Sequence, residues 1–353
     1  MTEQNNTIDT EKTVAGFTPG PWSVRGRMKT NYTDLNRAVP GDALRPQQFA
    51  DFVGQDPIIR NLGVMIAAAK QRGEKNLDPI LFSGPQGLGK TTLSGLTAAE
   101  LGGKMIPTSG PVLQSAGELA EVLVQLEAGD VLFVDEVHRV HPRVQEVLYS
   151  ALEDGYIDLM AGGRKDAKPI RVPLEPFTFI AATTRPGALN KPLYDRLRAK
   201  FKLDFYSNDE LALILDRAAG LLGVELGGAS VKLAVAGRGT PRIALNLLRR
   251  VRDFLELAPG RDVVDVVDAG LAKLGIHPLG LDWLDLAYLR AIAHKFDGGP
   301  VGLDTLADCL GEESDVLADT IEPYLLRCGF VKRTGRGRVI TDQCAAYLEA
   351  LDG

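Results

Sequence analysis

"LFSGPQGLGKTT" (residues 81–92) reads as an apolar run, a glycine-rich turn and the opening of a helix. Within it Gly84, Gly89, Lys90 and Thr91 satisfy G-x-x-x-x-G-K-[ST]. That pattern works only between a strand and a helix, where backbone N–H groups and a helix N-terminus face phosphate. Gly84, Gly87 and Gly89 let the backbone turn toward the ligand. Lys90 would reach the outer phosphate oxygens, and Thr91, followed by Thr92, would offer a hydroxyl to Mg2+. The stretch predicts a nucleotide-phosphate grip, but kinases, transporters, GTPases and DNA motors all carry one, so the surrounding chain has to say which machine it serves.

Two further apolar runs frame it. "DVLFVDE" (130–136) and "FTFIAATT" (177–184) are continuous rather than alternating, and helical stretches separate them. This predicts an α/β fold with a parallel sheet covered on both faces. Asp135 and Glu136 emerge at the carboxyl end of their strand, where one carboxylate can hold the Mg2+ shell and the next can polarise an attacking water. An isolated acidic pair there would serve equally as a helix start; behind a phosphate loop the hydrolytic role is expected. Thr183 and Thr184 end the third run and could place a hydroxyl near the γ-phosphate; taken alone, they read as a strand terminus that caps a turn.

Upstream, Ile58, Leu62, Met65, Ile66 and Ala69 share one face of a helix expected over about 55–72. Downstream, residues 207–277 carry a helical apolar period. The segment after "HPLG" predicts helices near 282–296, 303–309 and 314–328, then two β runs in "GFVKRTGRGRVIT". Three helices and a β-ribbon outline a winged helix-turn-helix. The expected division is a disordered tail at 1–40, a large α/β domain at 41–206, a small all-α lid at 207–277 and a winged-helix domain at 278–353.

Composition narrows the class. A net charge of −6 excludes a uniformly basic nucleic-acid coat and leaves room for a local basic patch. Cys309, Cys328 and Cys344 show no C-x-x-C spacing, which predicts a reducing cytoplasm rather than a disulfide framework or zinc site. No apolar run approaches the roughly 18 residues that span a bilayer, and the polar start lacks a signal-peptide pattern. The expectation is a cytoplasmic protein with no membrane partner. His138 and His141 form H-x-x-H, but Pro142 and the lack of a third ligand nearby predict a surface or packing pair, not a metal site.

The order of motifs resembles the RuvB family of AAA+ motors from about residue 43 to 338: "LRP…F…FVGQ", "GPQGLGKTT", "TSGPVL", "GDVLFVDEVHR", "LYSALEDG", "ATTRPG", "PLYDR", "RGTPRIALNLLRRVRDF", "KFDGGPVGL", "EPYL" and "GFVKRTGRGR". The resemblance implies ATP and Mg2+ as cofactors, a homohexameric ring on duplex DNA at four-way junctions, and the partners RuvA and the junction resolvase RuvC. It implies that Arg196 in "PLYDR" is an arginine finger for the neighbouring subunit's γ-phosphate, and that Arg242 in "GTPR" is the lid's nucleotide sensor. It places Leu44, Arg45 and Tyr206 around the nucleotide at the hinge, and Glu153, Asp154 and Gly155 near it. In the hairpin expected over 157–177, Ile170 and Val172 match positions that face RuvA. The wing arginines match Arg333 and Arg338, with Arg336 between them.

Those three arginines lie on a glycine turn with no base-reading side chain, which suits phosphate contact without sequence preference. One phosphate each would give a slope of log K against log salt of about −2.7 per subunit. Some letters depart from the family: Gln86 in the phosphate loop and Gly335 in the wing stand where proline is common, and "DPILF", "AATTRPG" and "DRLRA" are unusual. None removes a catalytic residue. The rivals are an AAA+ loader or initiator that does not translocate, and a nucleotide-dependent DNA scaffold. The first would carry a Ser-Arg-Cys finger motif where "PLYDR" stands, and the second has no need of Lys90, Asp135, Glu136 and Arg196 together.

Overall fold

The computed structural model describes residues 44–161 and 168–352, so the expected tail lies outside the described residues. Helix α1 (Asp56–Arg72) starts with a proline in its first turn and stops at Gly73, whose φ of +75° takes the left-handed cap that glycine tolerates best. Ile58, Leu62, Ile66 and Ala69 form its buried face; Met65 is only half-buried.

Strands β1 (Ile80–Ser83), β2 (Met105–Ser109), β3 (Val131–Asp135), β6 (Thr178–Thr183) and β7 (Ala199–Lys202) form one five-stranded sheet in the order β2-β3-β6-β1-β7. All neighbours are parallel, with Ser83 beside Thr183 and Val134 beside Ala181. The crossovers include α2 (Lys90–Leu101), α3 (Ala116–Leu123), α4 (Pro142–Glu153) and α5 (Lys191–Arg196). Phe82, Phe133, Phe179 and Ile180 are essentially inaccessible in the sheet centre. Burying each such side chain is worth about 1.5–3 kcal/mol, which explains why the central strands read as unbroken apolar runs. Because β3, β6 and β1 are adjacent, the acidic pair, the threonines and the phosphate loop all leave the sheet at one edge. Ligands bind at such carboxyl-end crevices.

Between α4 and β6, β4 (Tyr156–Ala161) and β5 (Lys168–Pro173) make the expected antiparallel hairpin, with Ile157 opposite Val172. The two expected partner-facing residues part company. Ile170 is 51% exposed, whereas Val172 is half-buried and packs on the core that contains Leu148 and Phe177.

The lid is four helices: α6 (Asn208–Leu222), α7 (Ala229–Ala236), α8 (Pro241–Glu256) and α9 (Val263–Lys273). Ser207 and Glu210 close a capping box on α6. Along α8, Ala244, Leu248 and Val251 face inward, while Arg242, Asn246 and Arg249 recur at helical spacing on another face.

The last domain contains α10 (Trp283–Arg290), which runs on into a π turn, α11 (Leu303–Leu310), α12 (Ser314–Val316), a second π turn (Leu317–Ile321) and α13 (Glu322–Arg327). Then β8 (Val331–Thr334) and β9 (Gly337–Ile340) form the wing, Val301 bridges to Arg338, and α14 (Asp342–Asp352) closes the domain. Leu289, Ile292, Leu306, Leu325 and Phe330 make its core.

This domain is tied to the lid by a buried pair. Arg238, with a φ of +54°, donates to the Gly280 carbonyl and to Asp285 at the start of α10. Burial pushes the Asp285 carboxyl up to about 6, against the pull of Arg238 and the Asp282 N–H. Among the described residues no helix is long and apolar enough to cross a membrane.

Candidate nucleotide and DNA sites

A cavity of about 550 Å³ opens at the carboxyl edge of the sheet. The phosphate loop and α2 supply Gln86, Gly87, Gly89, Lys90, Thr91 and Thr92, and β3 supplies Asp135 and Glu136. Leu44, Arg45 and Tyr206 line it from the hinge, and Arg242 and Arg249 from α8. Gly87 has a φ of +77°, and a Cβ there would come within 2.8 Å of both Thr240 and Arg242. Only glycine lets the lid helix begin directly against the loop. Gly84 is equally constrained: at φ +138° a Cβ would sit 2.6 Å from the Leu203 carbonyl.

Lys90 is buried and its Nζ donates to the carbonyls of Gly84 and Pro85 at 2.7 and 2.8 Å. Burial pushes its pKa down, while Asp135 and Glu136 pull the other way. A buried ammonium held only by neutral carbonyls is poised to exchange them for phosphate oxygens. The Tyr206 hydroxyl donates to the Leu88 carbonyl at 3.0 Å, and Arg217 donates to the Leu44 carbonyl at 3.2 Å, so the hinge residues are pinned to both domains. Gln86 is exposed on the cavity wall.

Glu136 takes φ +47° and ψ 48°, a left-handed conformation that costs a non-glycine residue about 1 kcal/mol or more and clusters at functional sites. Its carboxylate accepts a hydrogen bond from the Thr184 hydroxyl at 3.2 Å and lies 3.1 Å from Nδ1 of His138. His138 also contacts the buried Thr183 hydroxyl at 2.8 Å, and burial pushes its pKa down. The two histidines are thus separated: His141 caps α4, accepting from the Arg143 N–H, while His138 belongs to the site. Sequence reasoning expected a surface or packing pair and did not bring His138 to the site. Next to it, Arg185 reaches across to the winged-helix domain, with ion pairs to Asp319 and, at 3.3 Å, Asp315.

Arg196, Glu153, Asp154 and Gly155 are not among the residues that line this cavity. They line a second one of about 590 Å³ with Asp195 and Arg198. Arg196 lies over the Tyr149 ring, donates to Glu153 at 3.0 Å and to the Pro192 carbonyl, and its buried Nε has no acceptor. The resemblance implied that the acidic step lies near the nucleotide; the structure puts it beside Arg196.

In the wing, Arg333 and Arg338 face each other across β8 and β9. Like charges directly opposite destabilise a ribbon unless something balances them. Glu322, fully buried at the start of α13, does so: it accepts from Arg333 Nε and Arg338 Nε at 2.7 Å each and from the Tyr288 hydroxyl at 2.7 Å. Burial works against its charge, but Arg338, Tyr288 and Arg333 together hold the carboxyl below the ordinary glutamate range. Arg336 at the turn is exposed. The three arginines are therefore unequal, a distinction that "RTGRGR" does not show.

Three family models cover the chain in series. Residues 44–203 match the Holliday junction DNA helicase RuvB P-loop domain, 206–277 the RuvB AAA lid domain and 278–349 the RuvB C-terminal winged helix domain. Among solved structures, the Thermotoga maritima RuvB Holliday junction branch migration motor is 44% identical, with 87% of this chain and 98% of that chain covered and a TM-score of 0.78. A lysine-to-arginine variant of T. maritima RuvB matches at the same identity and coverage with a TM-score of 0.79.

Proposed function

The chain belongs to the RuvB family of AAA+ Holliday junction branch migration motors, and from that premise we propose that it hydrolyses ATP in sites shared between neighbouring subunits and uses the work to move four-way junctions. The observation that carries this is the separation of Lys90 and Glu136 in one cavity from Arg196 in another. One subunit holds two half-sites facing different neighbours, as a closed ring requires. A homohexamer is the assembly we infer, in the cytoplasm, with domain divisions at 41–206, 207–277 and 278–353.

The roles follow from placement. Backbone N–H groups of Gly84, Gly87, Gly89 and Thr92 hold phosphates, and Lys90 turns from its two carbonyls to the β/γ oxygens. Thr91 and Asp135 fit Mg2+: a hydroxyl and a carboxylate are hard oxygen donors, too few to bind it without phosphate. Held there, Mg2+ would supply charge neutralisation on the phosphates. Glu136 polarises the water, Thr184 holds Glu136, and Arg242 reads the nucleotide from α8. Leu44, Arg45 and Tyr206 hold the base end. In the neighbour's site, Arg196 stabilises the transition state, with Glu153, Asp154 and Gly155 shaping its approach.

Ile170 supplies the exposed contact for RuvA, while Val172 anchors the same strand on the core; RuvC is the resolvase that would follow. On DNA, Arg336 and the outward half of Arg333 grip phosphate, and Arg338 acts chiefly as a strut on Glu322. Arg336→Ala should make the slope of log K against log salt shallower by about 0.9, equally on unrelated duplexes. An unchanged slope in a salt titration by fluorescence anisotropy would exclude this contact.

The activity itself is tested with a labelled four-way junction, RuvA and ATP. Wild type should release fork products and Lys90→Ala should not. Absence of products with wild type, or equal yields from both, would overturn the motor assignment.

A further inference from the structure

We infer that His138 is a positioning residue for Glu136, holding its carboxylate in line for the water through the Nδ1–H. The inference rests on Glu136 being the group that polarises water. Nδ1 of His138 lies 3.1 Å from Glu136 Oε2, an ion-pair distance at which a protonated nitrogen attracts the carboxylate and a bare lone pair repels it. That fixes the neutral ring as the Nδ1–H tautomer.

The second contact of Nδ1 agrees. It lies 2.8 Å from the Thr183 hydroxyl oxygen, which also accepts the Arg185 backbone N–H at 3.0 Å. A hydroxyl can donate or accept, so this contact is compatible with an Nδ1–H that faces both the hydroxyl and the carboxylate; the proton on Nδ1 is assigned by the carboxylate. Thr183 is fully buried at the end of β6, and the His138 side chain is 12% exposed, so ring and support are fixed by the sheet rather than by solvent.

Glu136 needs such support. Its backbone is left-handed, so the side chain leaves β3 in an unusual direction, and its two side-chain donors are Thr184 and His138 among the hydrogen bonds and ion pairs of the described residues. Thr184 reaches it from the sensor strand and His138 from the turn after β3. Losing one leaves the carboxylate a single tether, and a displacement of about 1 Å can cost up to about 100-fold in rate.

The test is steady-state ATP turnover on duplex DNA, with nucleotide affinity and thermal midpoint measured for each variant. His138→Leu should lower kcat by about 10–100-fold while KM stays within about threefold. His138→Asn, whose amide N–H can stand where Nδ1–H stands, should recover most of that loss. In a Glu136→Gln background, His138→Leu should change the residual rate by less than about twofold, because the group it positions has already lost its function. Three results would overturn the inference: undiminished kcat in His138→Leu, an Asn variant as slow as Leu with an unchanged thermal midpoint, or an equal effect of His138→Leu in both backgrounds. Wild-type turnover by Glu136→Gln alone would instead overturn the assignment of Glu136, and this inference with it.

Discussion

Arg196→Ala is expected to lower ATP turnover by about 10³–10⁵, or about 4–7 kcal/mol of transition-state stabilisation, with nucleotide affinity within about threefold of wild type. The guanidinium lies over Tyr149 and is held by Glu153 and the Pro192 carbonyl. Tyr149 is itself fixed through Asn190 and Gln145, so Arg196 stands on an ordered base. Its cavity is not the one that holds Lys90. In the proposed shared site this arginine acts on phosphate bound by another subunit, which is why turnover and not binding should suffer. A variant with wild-type turnover would contradict the shared site.

The second large effect is on stability. Glu322→Ala should cost the winged-helix domain about 3–5 kcal/mol, the usual cost of removing one partner from a buried ionic cluster. Glu322 is inaccessible to solvent, and its loss strands the Tyr288 hydroxyl and leaves Arg333 and Arg338 repelling across the ribbon. Arg338, only 20% exposed, accounts for most of this; Arg333 is half in solvent and counts for less. The sign with pH is fixed by direction. The Glu322 carboxyl is held below its ordinary value of 4.5, so its contribution is present above that pH and is lost as pH falls through the lower folded value. Urea unfolding followed by the Trp283 fluorescence should show the alanine variant's midpoint well below wild type at pH 7 and the gap narrowing in acid. Equal midpoints at pH 7 would show that the cluster does not stabilise the fold.

The sequence disclosed the elements whose burial is one-sided or complete. β1, β3 and β6 sit in the sheet interior, so they appear as apolar runs, and the glycines and charges that end them mark the loops where chemistry occurs. β2 and β7 are the sheet edges and were not legible: "MIPTS" and "AKFK" are half-exposed and carry polar or charged letters. The phosphate loop, Asp135 and Glu136 could be found by spacing because their function depends on local backbone. Others depend on strand register. His138 reads as one of a surface or packing pair until β6 is laid beside β3, which brings Thr183 to its ring. Arg185 and Asp319 are 134 residues apart, and "EPYL" gives no sign that Glu322 is a buried counter-charge to the wing.

Arg185 also bears on how the motor is coupled. It follows the sensor threonines directly, and its side chain binds the winged-helix domain through Asp315 and Asp319. Arg238 and Asp285 join the same domain to the lid. The winged-helix domain is thus anchored at two places, at the loop after β6 and at the lid.

The central claim, that each catalytic site is built from two subunits, is tested most directly by mixing. Lys90→Ala and Arg196→Ala subunits should each be inactive alone. Combined in equal amounts, random assembly gives about a quarter of interfaces an intact Lys90 facing an intact Arg196, and ATP turnover should return in proportion. If turnover stays at the level of the separate variants at every mixing ratio, although mixed rings are shown to form, the two-subunit site is wrong.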